Sequence, residues 1–157
     1  MGTPAEEGGG GKILMARQGR SRLAAAMMVH PADADLIRMD TIAVQEMYVD
    51  YHGKAAHAAA APQEGRNALD AAVLGYVNVA ALRQHILPTE RIHGVFTRAG
   101  DKANIVPAET SMTWMVRSPT IASLQPLKGR VVACLEASAA ATGCSCTHSW
   151  QTSPTQT

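Results

Sequence analysis

With 157 residues, 46% apolar and 17% charged, the chain has the size of one globular domain and is too apolar to be a disordered one. A net charge of +1 with no basic run argues against a nucleic-acid or membrane surface, no apolar stretch reaches the length of a membrane span, and the Gly-rich, acidic N-terminus is unlike a signal peptide. Three cysteines, Cys134, Cys144 and Cys146, are an odd number that makes no secreted disulfide framework, so a cytoplasmic setting is expected.

The first feature along the chain is Glu6-Glu7, followed by the run Gly8 to Gly11. Adjacent carboxylates repel unless something positive lies beside them. A divalent metal would serve, with one carboxylate as ligand and the other as general base for a metal-bound water. On spacing alone, solvated charges near a chain end explain the pair more simply. Gly8 to about Gly19 reads as a turn leading into a short helix, Lys12 to Arg17, and Leu23 to Val29 as a buried strand closed by His30-Pro31. His30 is either a satisfied core histidine or a metal ligand at a strand end. Met1 to about Leu23 is expected to be mobile or packed non-natively, because glycines lose the most backbone entropy on folding. Ala32 to Met39 is a connector.

Beyond it the pattern becomes regular. Thr41 to Tyr51 reads as a strand and Gly53 to Gly65 as an Ala-rich loop. Asn67 to Gln84 reads as an amphipathic helix, with Leu69, Val73, Tyr76, Val77 and Ala80 at three- and four-residue steps. Glu90 to Arg98 is the second strand. Thr110 to Ser118 is the third, with Met112, Trp114 and Val116 on one face and Thr113, Met115 and Arg117 on the other. Thr120 to Ala141 is a second helix with Leu124, Leu127, Val131 and Leu135 on one side, Pro126 near its start and Gly143 as its stop. Cys144 to Trp150 is a fourth strand, and Gln151 to Thr157 a loose tail. The order β-α-β-β-α-β predicts an α+β fold, a ferredoxin-like four-stranded antiparallel sheet with both helices on one face. The expected divisions are 1–39, 40–150 and 151–157.

Three side chains in this second part can carry chemistry. His57 is flanked almost only by small residues, which let a ligand come close, and an imidazole there can donate to a developing oxyanion. Taken alone, an exposed loop histidine is the simpler reading. Asn104 stands before Ile105-Val106-Pro107, where it can orient a substrate carbonyl or close an Asx turn. Arg117 can fork onto a carboxylate or remain a solvated strand residue. An RNA-binding module of the same topology needs stacking aromatics, and the second and third strands offer only Phe96 and Trp114.

Four motifs occur in order: Gly2-Thr3-Pro4-Ala5-Glu6-Glu7-Gly8-Gly9-Gly10-Gly11, Gly53-Lys54-Ala55-Ala56-His57-Ala58, Glu64-Gly65-Arg66-Asn67-Ala68-Leu69-Asp70-Ala71, and Asn104-Ile105-Val106-Pro107. Together the sequence resembles the dinuclear-zinc aminoacylase/carboxypeptidase G family of metallopeptidases and amidohydrolases. The likeness is greatest to its aminobenzoyl-glutamate hydrolases and its β-alanyl-lysine or Xaa-Arg dipeptidases. The resemblance implies a catalytic zinc domain with an inserted lid, or dimerisation, domain of the plan derived above. It implies Glu6 as general base and Glu7 and His30 as metal ligands. His57 would be the lid histidine that reaches the active site of the other protomer, and Asn104 and Arg117 would contact the substrate amide and carboxylate.

The family's earlier metal ligands should precede Glu6, and its last metal-binding histidine should follow the lid, where only His148 of the fourth strand stands. The chain is therefore expected to be a fragment, a whole lid plus a remnant of the catalytic domain. Of the two zinc ions (Zn2+) of an intact site it would bind any only weakly, and it would be inactive alone. The expected function is that of a metal-dependent amidohydrolase or dipeptidase acting beside a free carboxylate, on a dipeptide or N-acyl amino acid. The alternative is a non-catalytic dimerisation module. In both cases the partner is a second copy of the chain, with no nucleic acid and no membrane.

Overall fold

The computed structural model describes residues 11–19, 31, 33–35, 37, 41–151 and 155–156. The chain divides into two units, Met1–Thr41 and Ile42–Thr157. In the first, Gly11–Arg17 forms helix α1 over the stretch expected to be helical. The expected strand Leu23 to Val29, together with Glu6, Glu7 and His30, lies outside the described residues.

The second unit is the α+β domain that the element order predicts. Strands β1 (Ala43–His52), β2 (Arg91–Arg98), β3 (Glu109–Ser118) and β4 (Ser145–Trp150) form an antiparallel sheet in the order β2-β3-β1-β4. Helices α2 (Ala68–Arg83) and α3 (Ile121–Thr142) join them. Alternation along β1 and β3 sends Met47, Val49, Tyr51, Met112, Trp114 and Val116 to the helix side, where they are buried with Leu124, Leu127, Val131 and Leu135 of α3. The opposite face carries Glu46, Tyr48, Asp50, Ser111, Thr113, Met115 and Arg117.

Capping fixes where the helices begin. Asn67 accepts from the backbone N–H groups of Leu69 (2.9 Å) and Asp70 (3.3 Å), and Thr120 and Ser123 form a reciprocal capping box. Gly143, with φ of 68°, supplies the left-handed stop of α3. Pro126 is the sixth residue of α3, in its second turn, and Ala122, whose carbonyl loses its usual donor, faces solvent.

Two expectations are corrected by the packing. The buried stripe of α2 is Ala68, Ala71, Ala72, Gly75 and Val79, while Val73 and Val77 are 46% and 56% exposed. Small residues win because α2 packs closely on both α3 and the sheet, leaving its larger side chains outside. The tail expected after Gln151 includes Thr155–Gln156 as strand β5, which pairs with Val44 and Ala43 of β1. β5 lies on the same edge of β1 as β4, so the chain carries that edge on beyond Trp150.

Candidate functional site

Where β1 ends at His52, the chain enters the loop that holds His57. Backbone bonds tie this loop to the approach to β3: Gly53 N–H to Ala108 (2.7 Å), Val106 N–H to Ala56 (2.9 Å) and Ala58 N–H to Asn104 (3.0 Å). A second short ladder joins Lys54 and Arg66 in both directions. These approaches explain two motif glycines. A Cβ on Gly53 would collide with the Arg66 carbonyl, and one on Gly65 would press on Val106 (3.0 Å) and Ala56 (3.1 Å).

His57 thus pairs with Ile105 in an isolated antiparallel bridge, immediately beside Asn104. Its ring is fixed by its own turn. The backbone N–H groups of Ala59 (3.2 Å) and Ala60 (3.1 Å) both donate to Nδ1, and the Ala61 N–H donates to the His57 carbonyl. Nδ1 is therefore an acceptor, which puts the proton of a neutral imidazole on Nε2. The ring is exposed, so this N–H is open to a ligand oxygen. A cleft of about 420 Å³, lined by Asn67, Leu69, Lys102, Ile105 and Pro107 among others, adjoins the Asn104 turn.

The structure brings His57 and Asn104 together but not Arg117. Arg117 lies on the open sheet face, opposite Val44 of β1 and Arg91 of β2. It stands eight residues beyond Glu109 on β3, roughly 26 Å along the strand. The His57 loop lies past the Glu109 end.

A polar cluster that no sequence motif announces sits between them. His52 Nδ1 lies 2.8 Å from Glu109 Oε2, and its Nε2 lies 3.1 Å from Thr147 Oγ1, while Ser111 donates to Asp50 at 2.6 Å. Strand register alone assembles it, since Glu109 faces His52 across β1 and β3. Among the described residues no three His, Cys, Asp or Glu side chains come together as a metal site. Cys144 and Cys146 are half-buried free thiols packed against the core, and burial, then the nearby Glu136 and Asp50, push the Cys146 thiol up to about 11.

The family description "peptidase dimerisation domain" matches residues 44–142. The chain is 44% identical over 145 residues to the Xaa-Arg dipeptidase of Mus musculus, covering 92% of this chain and 34% of that protein. It is 36% identical over 141 residues to a p-aminobenzoyl-glutamate hydrolase polypeptide of Escherichia coli, covering 88% of this chain and 29% of that protein. The crystal structure of aminobenzoyl-glutamate utilization protein from Klebsiella pneumoniae matches with a TM-score of 0.63 at 24% identity, over 71% of this chain and 28% of that one, and shows the same fold. The chain spans about a third of the length of the curated relatives it matches.

Proposed function

The chain belongs to the peptidase dimerisation domain family, and from that premise we propose that it forms the lid and dimer contact of a metal-dependent amidohydrolase or dipeptidase. The bond cleaved is an amide or peptide bond beside a free carboxylate, as in an Xaa-Arg dipeptide or an N-acyl amino acid. One observation carries this reading: the turn around His57 pins Nδ1 as an acceptor and leaves the Nε2–H on an exposed ring, in a loop whose backbone is bonded to Asn104. A fixed donor at a site of developing negative charge is what acyl transfer requires. His57 donates to the oxyanion, Asn104 orients the substrate amide, and Arg117 pairs with the carboxylate.

By resemblance Glu6 is the general base, and Glu7 and His30 hold zinc. When bound, the metal polarises the carbonyl and acidifies its water. Those three residues lie outside the described part of the chain, and the described residues alone do not make a zinc cage.

Dimerisation follows from an apolar surface that the fold leaves open. Val73, Leu74 and Val77 of α2 and Phe96 of β2 are exposed on the helix side of the sheet, and the Tyr76–Phe96 stack (centroids 6.1 Å apart) joins the two elements into one patch. β2 is also an edge strand, whose unpaired backbone can take up a second copy. The three cysteines are free thiols, which suits a cytoplasmic setting. Among the described residues no helix is long and apolar enough to cross a membrane.

A second reading, a dimerisation module without hydrolase activity, is favoured by the family match itself, which describes dimerisation and covers residues 44–142. Substituting this chain for the matching third of the Mus musculus Xaa-Arg dipeptidase separates the two. The chimera is expected to hydrolyse an Xaa-Arg dipeptide, and His57→Ala to lower kcat about a hundredfold with the dimer intact. A folded, dimeric chimera that His57→Ala leaves equally active would overturn the catalytic role.

A further inference from the structure

β2 and β3 set two arginines side by side. Arg91 is the direct partner of Arg117 in the strand register, and His93 follows two residues on, opposite Met115. These side chains lie on the face turned away from the helices, because Ile92 and Val116 fill the other face. Like charges directly opposite one another are destabilising in a sheet.

Nothing in the described part of the chain neutralises this pair. The ion pairs there are Lys54–Glu64 and Arg98–Asp101, and neither these nor the His52–Glu109 contact involves Arg91 or Arg117. Glu46, one row along on β1, forms no ion pair with either arginine; its charge raises the pKa of Tyr48. Glu90 is buried and bonded to the Leu87 N–H (2.9 Å) and the Ser118 hydroxyl (3.3 Å). Arg91 is also anchored: its Nη1 donates to the carbonyls of Pro88 and Glu90, which leaves Nε and Nη2 as donors for something else.

We infer that Arg91 and Arg117 together clamp one carboxylate on the open face of the sheet, so that Arg91 is a specificity-determining residue beside Arg117. Two arginines on one register row, neither paired with an acidic side chain among the described residues, make a carboxylate site with forked donors on both sides. The choice of a carboxylate rests on the proposed function; the two-arginine juxtaposition does not.

The test uses the 15N-labelled chain, following the Nε–H resonances of Arg91 and Arg117 during addition of N-acetylglycine, its uncharged amide, or inorganic phosphate. Both resonances should move saturably with one Kd for N-acetylglycine and stay still for the amide. Arg91→Gln should weaken binding about fivefold or more, and Arg98→Gln, whose partner is Asp101, should leave it unchanged. Backbone amide spectra of the variants check that each is folded, as expected for exposed positions. Absence of saturation, a response from one arginine only, an Arg91→Gln variant that binds as well, or binding of phosphate alone would each overturn the assignment. Binding is read here without turnover, so a chimera that fails to hydrolyse leaves this result standing, and the reverse.

Discussion

Gly75 of α2 lies directly against Tyr51 of β1: a Cβ at Gly75 would fall 2.5 Å from the tyrosine hydroxyl, 3.0 Å from Ser138 Oγ and 3.1 Å from Leu135 Cδ2. The hydroxyl is itself bonded to the Leu135 carbonyl (3.2 Å) and to Ser138 (3.1 Å), so one buried point joins the sheet and both helices. Gly75→Ala gains up to about 1 kcal/mol of helix propensity. Overpacking costs about 1–3 kcal/mol, because Tyr51 cannot move without breaking those bonds. The variant is expected to be less stable, with a lower urea midpoint at unchanged slope, and Gly75→Val to be worse. An alanine variant as stable as the parent would show that α2 can shift away from the sheet.

This contact marks where sequence reading succeeds and where it stops. Alternation in Met112 to Arg117 and the helix stop at Gly143 are local signals, and strands and helices read from such signals end within a residue or two of those observed. The buried face of α2 is not local. Its sequence is apolar nearly all round, so the larger side chains suggest one face while close packing at Gly75 selects another. The Nδ1 bonds of His57, the His52–Glu109 pair and the Arg91–Arg117 pairing depend on turn geometry and register, which no spacing reveals. β5 escapes for a related reason, since a two-residue strand shows no alternation.

Alkaline conditions should destabilise the domain in a way that Tyr51 controls. Burial pushes the Tyr51 phenol far above its ordinary 10, although its bond to Ser138 pulls the other way, and it pushes Cys146 up to about 11 from 9. The folded state holds these protons where the unfolded chain releases them. Stability is therefore complete below about pH 9 and falls as pH rises, through 9 to 11 for Cys146 and from 10 upward for Tyr51. Lys128, lowered by burial, acts in the opposite sense, so the difference between parent and Tyr51→Phe isolates the phenol. The variant should lose about 1 kcal/mol at pH 7, with its hydroxyl bonds, yet decline less steeply above pH 10. Urea midpoints from pH 7 to 11 measure this, and parallel curves would sink the assignment.

The open patch on α2 and β2 predicts a dimer that single charges can break. The chain has a mass of 16.5 kDa, and light scattering should give twice that value. Val77→Asp and Val73→Lys place charges where the side chains are 56% and 46% exposed in one protomer, so neither disturbs its own core. Each should yield a folded monomer with an unchanged far-ultraviolet spectrum, whereas Thr147→Lys on β4 should remain dimeric. A monomeric parent would overturn the dimer, and variants that still dimerise would place its contact elsewhere.

The separation of His57 from Arg117 predicts how a dimer would share its active sites. Glu109 and Arg117 are roughly 26 Å apart along β3, with His57 and Asn104 past the Glu109 end. A dipeptide spans only about 7 Å. If His57 and Arg117 hold the roles proposed above, one protomer cannot place both groups on one substrate, and each centre of the dimer takes its His57 from one protomer and its Arg117 from the other. In the dipeptidase chimera, His57→Ala and Arg117→Ala should each abolish most activity. Co-expressed, they form mixed dimers in which one centre has both groups intact and the other has neither. With random mixing about half the dimers are mixed, so about a quarter of the parent activity should return. If His57 and Arg117 acted on the same centre from one chain, every centre in the mixture would lack a group. No recovery would then be seen, and that result would refute the shared arrangement.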